Sequence, residues 1–209
     1  MDRFNVLSLT AFLLAIMVAA AGLSGIWTGT GTNTERLSLL FVEAVTVLLL
    51  IANSHGIRRW VYRHSDNPVA RRVAWLCFIG LCLCFGGDIV NFNLPQTYFR
   101  HGEVIKHDYL ADSVWLFAPG YLLLMVAALY LARSRGLSQK TMIVGLGLGA
   151  LMGAISFATL HLPGTGTYVS VITGFYSMLI TAVGVSGVLL LLSYGLTQAP
   201  PMAWLAALG

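Results

Sequence analysis

Cys77-Phe78-Ile79-Gly80-Leu81-Cys82-Leu83-Cys84-Phe85-Gly86-Gly87-Asp88-Ile89-Val90-Asn91-Phe92 is the stretch on which the reading of this chain turns. With the apolar residues from Val73 onward, the run is long enough to cross a bilayer as a helix. It carries an aspartate near one end. An ionised carboxylate in hydrocarbon costs several kcal/mol, so such a residue faces a protein interior or a wet cavity. Cys77, Gly80, Cys84, Asp88 and Asn91 recur at helical spacing, which makes one face small and then polar.

The whole chain has the same character. Of 209 residues, 57% are hydrophobic and 10% charged, with mean hydropathy +0.81. A soluble domain carries about 25% charge, so the composition is that of an integral membrane protein. A net charge of +4 raises the question of nucleic acid. The basic residues lie between apolar runs, however, without interleaved stacking aromatics, so they orient a membrane protein and bind no nucleic acid. Cys77, Cys82 and Cys84 share one apolar segment. An odd count there argues against a disulfide framework and for small packing residues.

Six apolar segments follow in order, and they predict one all-α, polytopic helical-bundle domain over residues 1–209. The first runs from Val6 to about Trp27. It is longer than the roughly 7–15 residues of a signal-peptide apolar region, so it reads as a retained span with Trp27 in the interfacial belt. Thr28 to Arg36 is a Gly/Thr loop, and the second span covers about Leu37 to Asn53 with Glu43 inside it. Arg58, Arg59, Arg63, Arg71 and Arg72 form the densest basic segment ahead of the third span. Asn93 to Ala111 is a long loop holding Arg100, His101, Glu103, Lys106, His107 and Asp108. The fourth span, about Ser113 to Leu131, follows Asp112 and is kinked or loosened by Pro119 and Gly120. After Arg133, Arg135 and Lys140 come the fifth span, Thr141 to Leu160, then His161, and the sixth, Tyr168 to Leu192. Met202 to Gly209 is an apolar tail or the start of a seventh helix. The Lys and Arg residues alternate by loop, which puts both termini in the cytoplasm of a bacterial inner membrane.

That topology assigns depth. At about 1.5 Å per residue, Glu43 lies about 9 Å and Asp88 about 6 Å below the outer surface. Asn91, Asp112 and His161 fall nearer that surface. The expectation is a polar cavity open to the outer face, lined by Glu43, Asp88, Asn91, Asp112 and His161, in which the two carboxylates share protons. Local pairing of Asp88, for example with Arg100, is the structural alternative. His101, His107, Asp108, Asp112 and His161 are zinc-ligand types, but no HExxH, HxxxH or CxxC spacing accompanies them, so no metal site is assigned. Lys106 and Lys140 lie in loops, which leaves no intramembrane Schiff base, and the histidines sit too near span ends to ligate haem. No cofactor is implied. Gly145, Gly149 and Gly153 make a doubled GxxxG face, and Ser170, Gly174, Ser177, Thr181 and Gly184 a comparable stripe. Together they predict that the fifth and sixth spans pack on each other.

Phe85-Gly86-Gly87-Asp88, Tyr109-Leu110-Ala111-Asp112-Ser113-Val114-Trp115 and Tyr121-Leu122-Leu123-Leu124 resemble the polytopic membrane sensory domains that precede bacterial diguanylate cyclases and histidine kinases. The resemblance covers about Cys77 to Arg135. It implies a small-molecule or lipid-binding sensory module that passes its state to a partner signalling protein. A weaker resemblance is to the lysoplasmalogenase family of membrane hydrolases, which also carry a Gly-Asp in the third span. That likeness implies Asp88 as the acid in vinyl-ether cleavage, although the Phe-x3-His-x2-Tyr pattern of the fourth span is missing here. A lipid hydrolase with Asp88 and Glu43 as general acid and base is therefore the alternative. A structural subunit using only the glycine faces is a further one.

Overall fold

The computed structural model describes residues 3–25, 33–91, 93, 97, 99–100, 103–104, 108–160, 164 and 166–200. Among them are six helices: α1 (Arg3–Leu23), α2 (Asn33–His64), α3 (Pro68–Asn91), α4 (Tyr109–Ser134), α5 (Gln139–Leu160) and α6 (Thr167–Tyr194). Between α3 and α4, β1 (Phe99–Arg100) and β2 (Glu103–Val104) form a two-residue antiparallel ladder. The fold is all-α in every other respect. Two compact units, Met1–His64 and Ser65–Gly209, make up the chain, and each is described by itself.

Four helices are long and apolar enough to cross a membrane: Pro68–Asn91, Ala111–Ser134, Gln139–Leu160 and Thr167–Tyr194. Among the described residues the span count is thus four rather than the expected six. In α1 the apolar stretch among the described residues is Leu9–Leu23. In α2 the helix does not stop at Asn53 but continues through Arg58, Arg59 and Arg63 to His64. Its last three turns, with Arg58, Arg59 and Arg63, lie beyond the apolar stretch expected to form the second span. The basic segment after the second span is therefore mostly helical, and only Ser65–Asn67 connects α2 to α3.

Local chemistry sets the helix ends. Asn67 Oδ1 accepts the backbone N–H groups of Val69 (2.9 Å) and Ala70 (3.4 Å), while Pro68 takes the first helical position, where no donor is needed. This cap starts α3 ahead of Val73. Ser138 Oγ caps α5 by accepting the Thr141 N–H at 3.1 Å. α4 ends in a Schellman motif: the Leu137 N–H reaches Ala132 O (3.2 Å) and the Gly136 N–H reaches Arg133 O (3.0 Å). Gly136, at φ +98°, supplies the left-handed residue that motif requires. Asn93, buried and at φ 53°, turns the chain at the far end of α3. α4 itself runs unbroken through Pro119.

In the second unit α3 packs on α4, α4 on α6, and α6 on α5. The α3–α4 contact is made by small residues. A Cβ on Gly80 would stand 2.9 Å from Gly120 O, one on Gly120 2.7 Å from Cys84 Sγ, and one on Gly87 2.7 Å from the Phe117 ring. Cys84 is buried in this seam as a packing residue, whereas Cys82 is exposed on the other side of the helix. Along α5 the same device recurs. A Cβ on Gly149 would lie 3.1 Å from Ala182 Cα, and one on Gly153 2.5 Å from Ser177 O. Ser177 Oγ donates across the seam to Gly153 O at 2.9 Å. The expected pairing of the fifth and sixth spans is what the chain adopts. Gly184 lies outside that contact, with nothing within 4 Å of a Cβ built on it, and Val185 and Leu189 take the place the stripe assigned to it.

The outward faces of these helices are apolar as well. Ile143, Val144, Leu148, Leu151, Met152 and Ile155 of α5 are all exposed. Helices apolar on every side suit hydrocarbon as the surrounding solvent. The described basic side chains of this unit, Arg71, Arg72, Arg133, Arg135 and Lys140, fall at the start of α3, the end of α4 and the start of α5, which is one end of the packed helices. Two are fixed by tyrosines. Arg72 Nη1 donates to Tyr130 Oη at 3.0 Å, and the Arg135 guanidinium lies 3.6 Å from the Tyr194 ring centroid.

Gly153→Val should force the α5–α6 seam apart and lower stability by about 1–3 kcal/mol, the usual cost of overpacking. Gly147→Ala, on an exposed face with nothing within 4 Å, should leave stability unchanged or raise it by up to ~1 kcal/mol through helix propensity. Thermal melting of the two purified variants in detergent would check both.

Candidate functional site

The α3–α4 seam places Asp88 in the second unit. Because α3 and α4 run antiparallel with Gly87 against Phe117, Asp88 stands level with the Phe117 turn of α4. It is half-buried. Its carboxylate acts electrostatically on Cys84 of α3, Tyr121 of α4 and Tyr176 of α6. The Tyr121 and Tyr176 rings lie against each other, with centroids 6.2 Å apart at 55°. Phe117 completes the group, 6.1 Å from Tyr121 and 6.3 Å from Tyr176. A thiol and two phenols from three helices thus lie within electrostatic range of one carboxylate. Tyr121 and Tyr176 also pack on the core of Val114, Ala118 and Leu179, so the polar cluster is continuous with the packed interior.

A second polar group lies toward the same end. Asp112, in the first turn of α4, accepts the Tyr168 hydroxyl proton at its Oδ1 (2.8 Å). The indole N–H of Trp115 in turn donates to Tyr168 Oη at 3.0 Å. The chain Trp115–Tyr168–Asp112 joins the N-terminal turns of α4 and α6, which run parallel. An acidic residue in the first turn of α4 also complements its helix dipole.

The expected site residues divide accordingly. Asp88 and Asp112 fall at one end of the same helical unit, each with partners from α6. Asn91 is the last residue of α3 and half-buried, one turn beyond Asp88. Glu43 lies on the backbone of α2, in the other unit, and its side chain is outside the described residues. His161 is outside the described residues too, as are His101 and His107. Among the described residues no group of three His, Cys, Asp or Glu side chains is placed to hold a metal ion.

Sequence reasoning passed over Tyr121, Tyr176, Tyr168 and Trp115 as site residues. Their signal was present: a phenol well inside an apolar span needs a hydrogen-bond partner, and each such tyrosine marks a polar contact. No family model, curated protein or solved structure matches this chain.

Tyr168→Phe should remove both hydrogen bonds of the interfacial chain and cost about 1 kcal/mol of stability. Asp112→Asn should cost a similar amount, and the double variant less than the sum. Thermal unfolding of the three variants in detergent gives the coupling directly. Strict additivity would show that the Tyr168–Asp112 contact carries no energy.

Proposed function

We propose that this chain is a multi-pass sensory module of a bacterial inner membrane, with both termini cytoplasmic, that binds a small molecule or lipid through Asp88 and the Tyr121–Tyr176 pair. The observation that carries this reading is a half-buried carboxylate within electrostatic range of two paired phenol rings where α3, α4 and α6 converge. Ionisable residues within spans are expensive, and those that persist serve binding or transport. A ligand contacting all three helices would favour one of their arrangements and pass that population shift to a partner signalling protein. The collection of Arg71, Arg72, Arg133, Arg135 and Lys140 at the opposite end supports a cytoplasmic basic end and an external acidic end. The likeness of residues 77–135 to sensory membrane domains points the same way.

A membrane hydrolase would use the same carboxylate. Tyr121 and Tyr176 beside Asp88 supply the proton donors that acid catalysis of a lipid vinyl ether or ester demands.

Native mass spectrometry of the protein released from membrane vesicles separates these readings. Wild type should retain a bound small molecule or lipid that Asp88→Asn and Tyr176→Phe each lose, with helix content by circular dichroism unchanged. Conversion of the retained species to a cleaved product over time would favour hydrolysis. Identical spectra for wild type and Asp88→Asn would overturn both.

A further inference from the structure

The first unit holds a cavity lined by its own residues alone. It measures about 440 Å³ and opens between the start of α1 and the basic end of α2. Leu7 contributes from α1, and His55, Arg59, Trp60, Arg63 and His64 from α2. The α2 residues recur at three- and four-residue spacing, so one helical face presents them all. The lining contains no acidic residue.

Arg59 and Arg63 stand apart from the other arginines. Arg58 Nη2 is bonded to His55 Nδ1 at 3.1 Å, Arg71 to Asp66 at 2.9 Å, Arg72 to Tyr130, Arg133 to Leu137 O, and Arg135 covers Tyr194. Arg59 and Arg63 have no hydrogen-bond or ion-pair partner among the described residues. They lie one helical turn apart on the rim of a concave surface. Two guanidiniums one turn apart bring ten N–H donors to one concave surface, and each fork can match a pair of phosphate oxygens. Trp60 and His64 stiffen one wall: their rings stack at 5.1 Å and 21°, and His64 Nδ1 is hydrogen-bonded to Trp60 O at 2.9 Å.

We infer that this cavity binds the phosphate of an anionic phospholipid headgroup. The site follows directly on the apolar stretch of α2, where the headgroup layer lies if the helix enters the bilayer. A tryptophan at that level is an interfacial anchor, and Leu7 offers apolar surface to the start of an acyl chain. The volume is within the range of about 300–1,000 Å³ typical of small-ligand sites. Phosphate chemistry alone would equally admit a soluble phosphate. The adjoining Trp60 and Leu7 select the lipid. The inference rests on the membrane-spanning reading, but not on the role given to Asp88.

The test uses the full-length protein reconstituted in vesicles of mixed phosphatidylcholine and phosphatidylglycerol. Flotation with the vesicles first establishes membrane insertion, and failure to float would overturn the membrane reading itself. Native mass spectrometry then counts retained lipid. Wild type should keep one phosphatidylglycerol in preference to phosphatidylcholine. The double variant Arg59→Gln/Arg63→Gln should lose that preference by roughly thirtyfold, from about 1 kcal/mol per removed charge. Lys140→Gln, which removes a charge that is not part of the cavity lining, should retain it. Arg59→Lys/Arg63→Lys should recover only part of the binding, because lysine restores the charge but not the fork. Equal retention by wild type and the double glutamine variant would overturn the inference, as would a wild type without preference for phosphatidylglycerol. Displacement of the lipid by millimolar inorganic phosphate would assign the cavity to a soluble anion and overturn the lipid source.

Discussion

The close approach of α3 and α4 at Gly80, Cys84 and Gly87 is the contact from which the rest of the second unit follows. A helix in hydrocarbon gains nothing by hiding apolar side chains from lipid, so association depends on backbone proximity and van der Waals fit. Here Gly80 and Gly120 let the two backbones meet so closely that a single Cβ on either would strike the opposite carbonyl. That fit permits only one register. It sets Gly87 under the Phe117 ring, and Asp88, the next residue, beside the turn that leads to Tyr121. α6 then packs on α4 and brings Tyr176 to the same level. The acid–phenol cluster is a consequence of a glycine seam.

The α5–α6 contact obeys the same rule with a polar addition. Ser177 donates across the seam to Gly153 O. Four other hydroxyls of α6 are satisfied within their own helix: Thr173 on Val169 O, Thr181 on Ser177 O, Ser186 on Val183 O and Ser193 on Leu190 O. A hydroxyl without water must find such a partner, and the carbonyl one turn back is the nearest one. The exposed aliphatic side chains of α5 need no such provision, since lipid is their expected neighbour, and Thr159 on that helix again bonds the carbonyl one turn back.

Much of the fold was legible in residue order. The apolar runs, the paired glycines at i and i+4, and the alternation of Lys and Arg need no tertiary knowledge, because each is a property of one helix or one loop. The length of α2 was not legible. Arg58, Arg59 and Arg63 look like a loop by hydropathy, but 54–64 has no proline and a single glycine, Gly56, so the chain continues as one helix until Ser65–Asn67. Cys82 was also misassigned by composition. Three cysteines look alike in sequence, and only the helical phase separates buried Cys84 from exposed Cys82.

Sequence alone determined that this is an all-helical membrane protein, that a carboxylate stands inside its third apolar segment, and that glycines mark where helices touch. It determined these because solvent compatibility and helical period are local properties. Which groups surround Asp88 was decided only in three dimensions. Tyr121 and Tyr176 lie 33 and 88 positions further along the chain, and no periodicity links positions on separate helices. The register that unites them comes from the depth to which one backbone enters the groove of another, a quantity that exists only once the helices have packed.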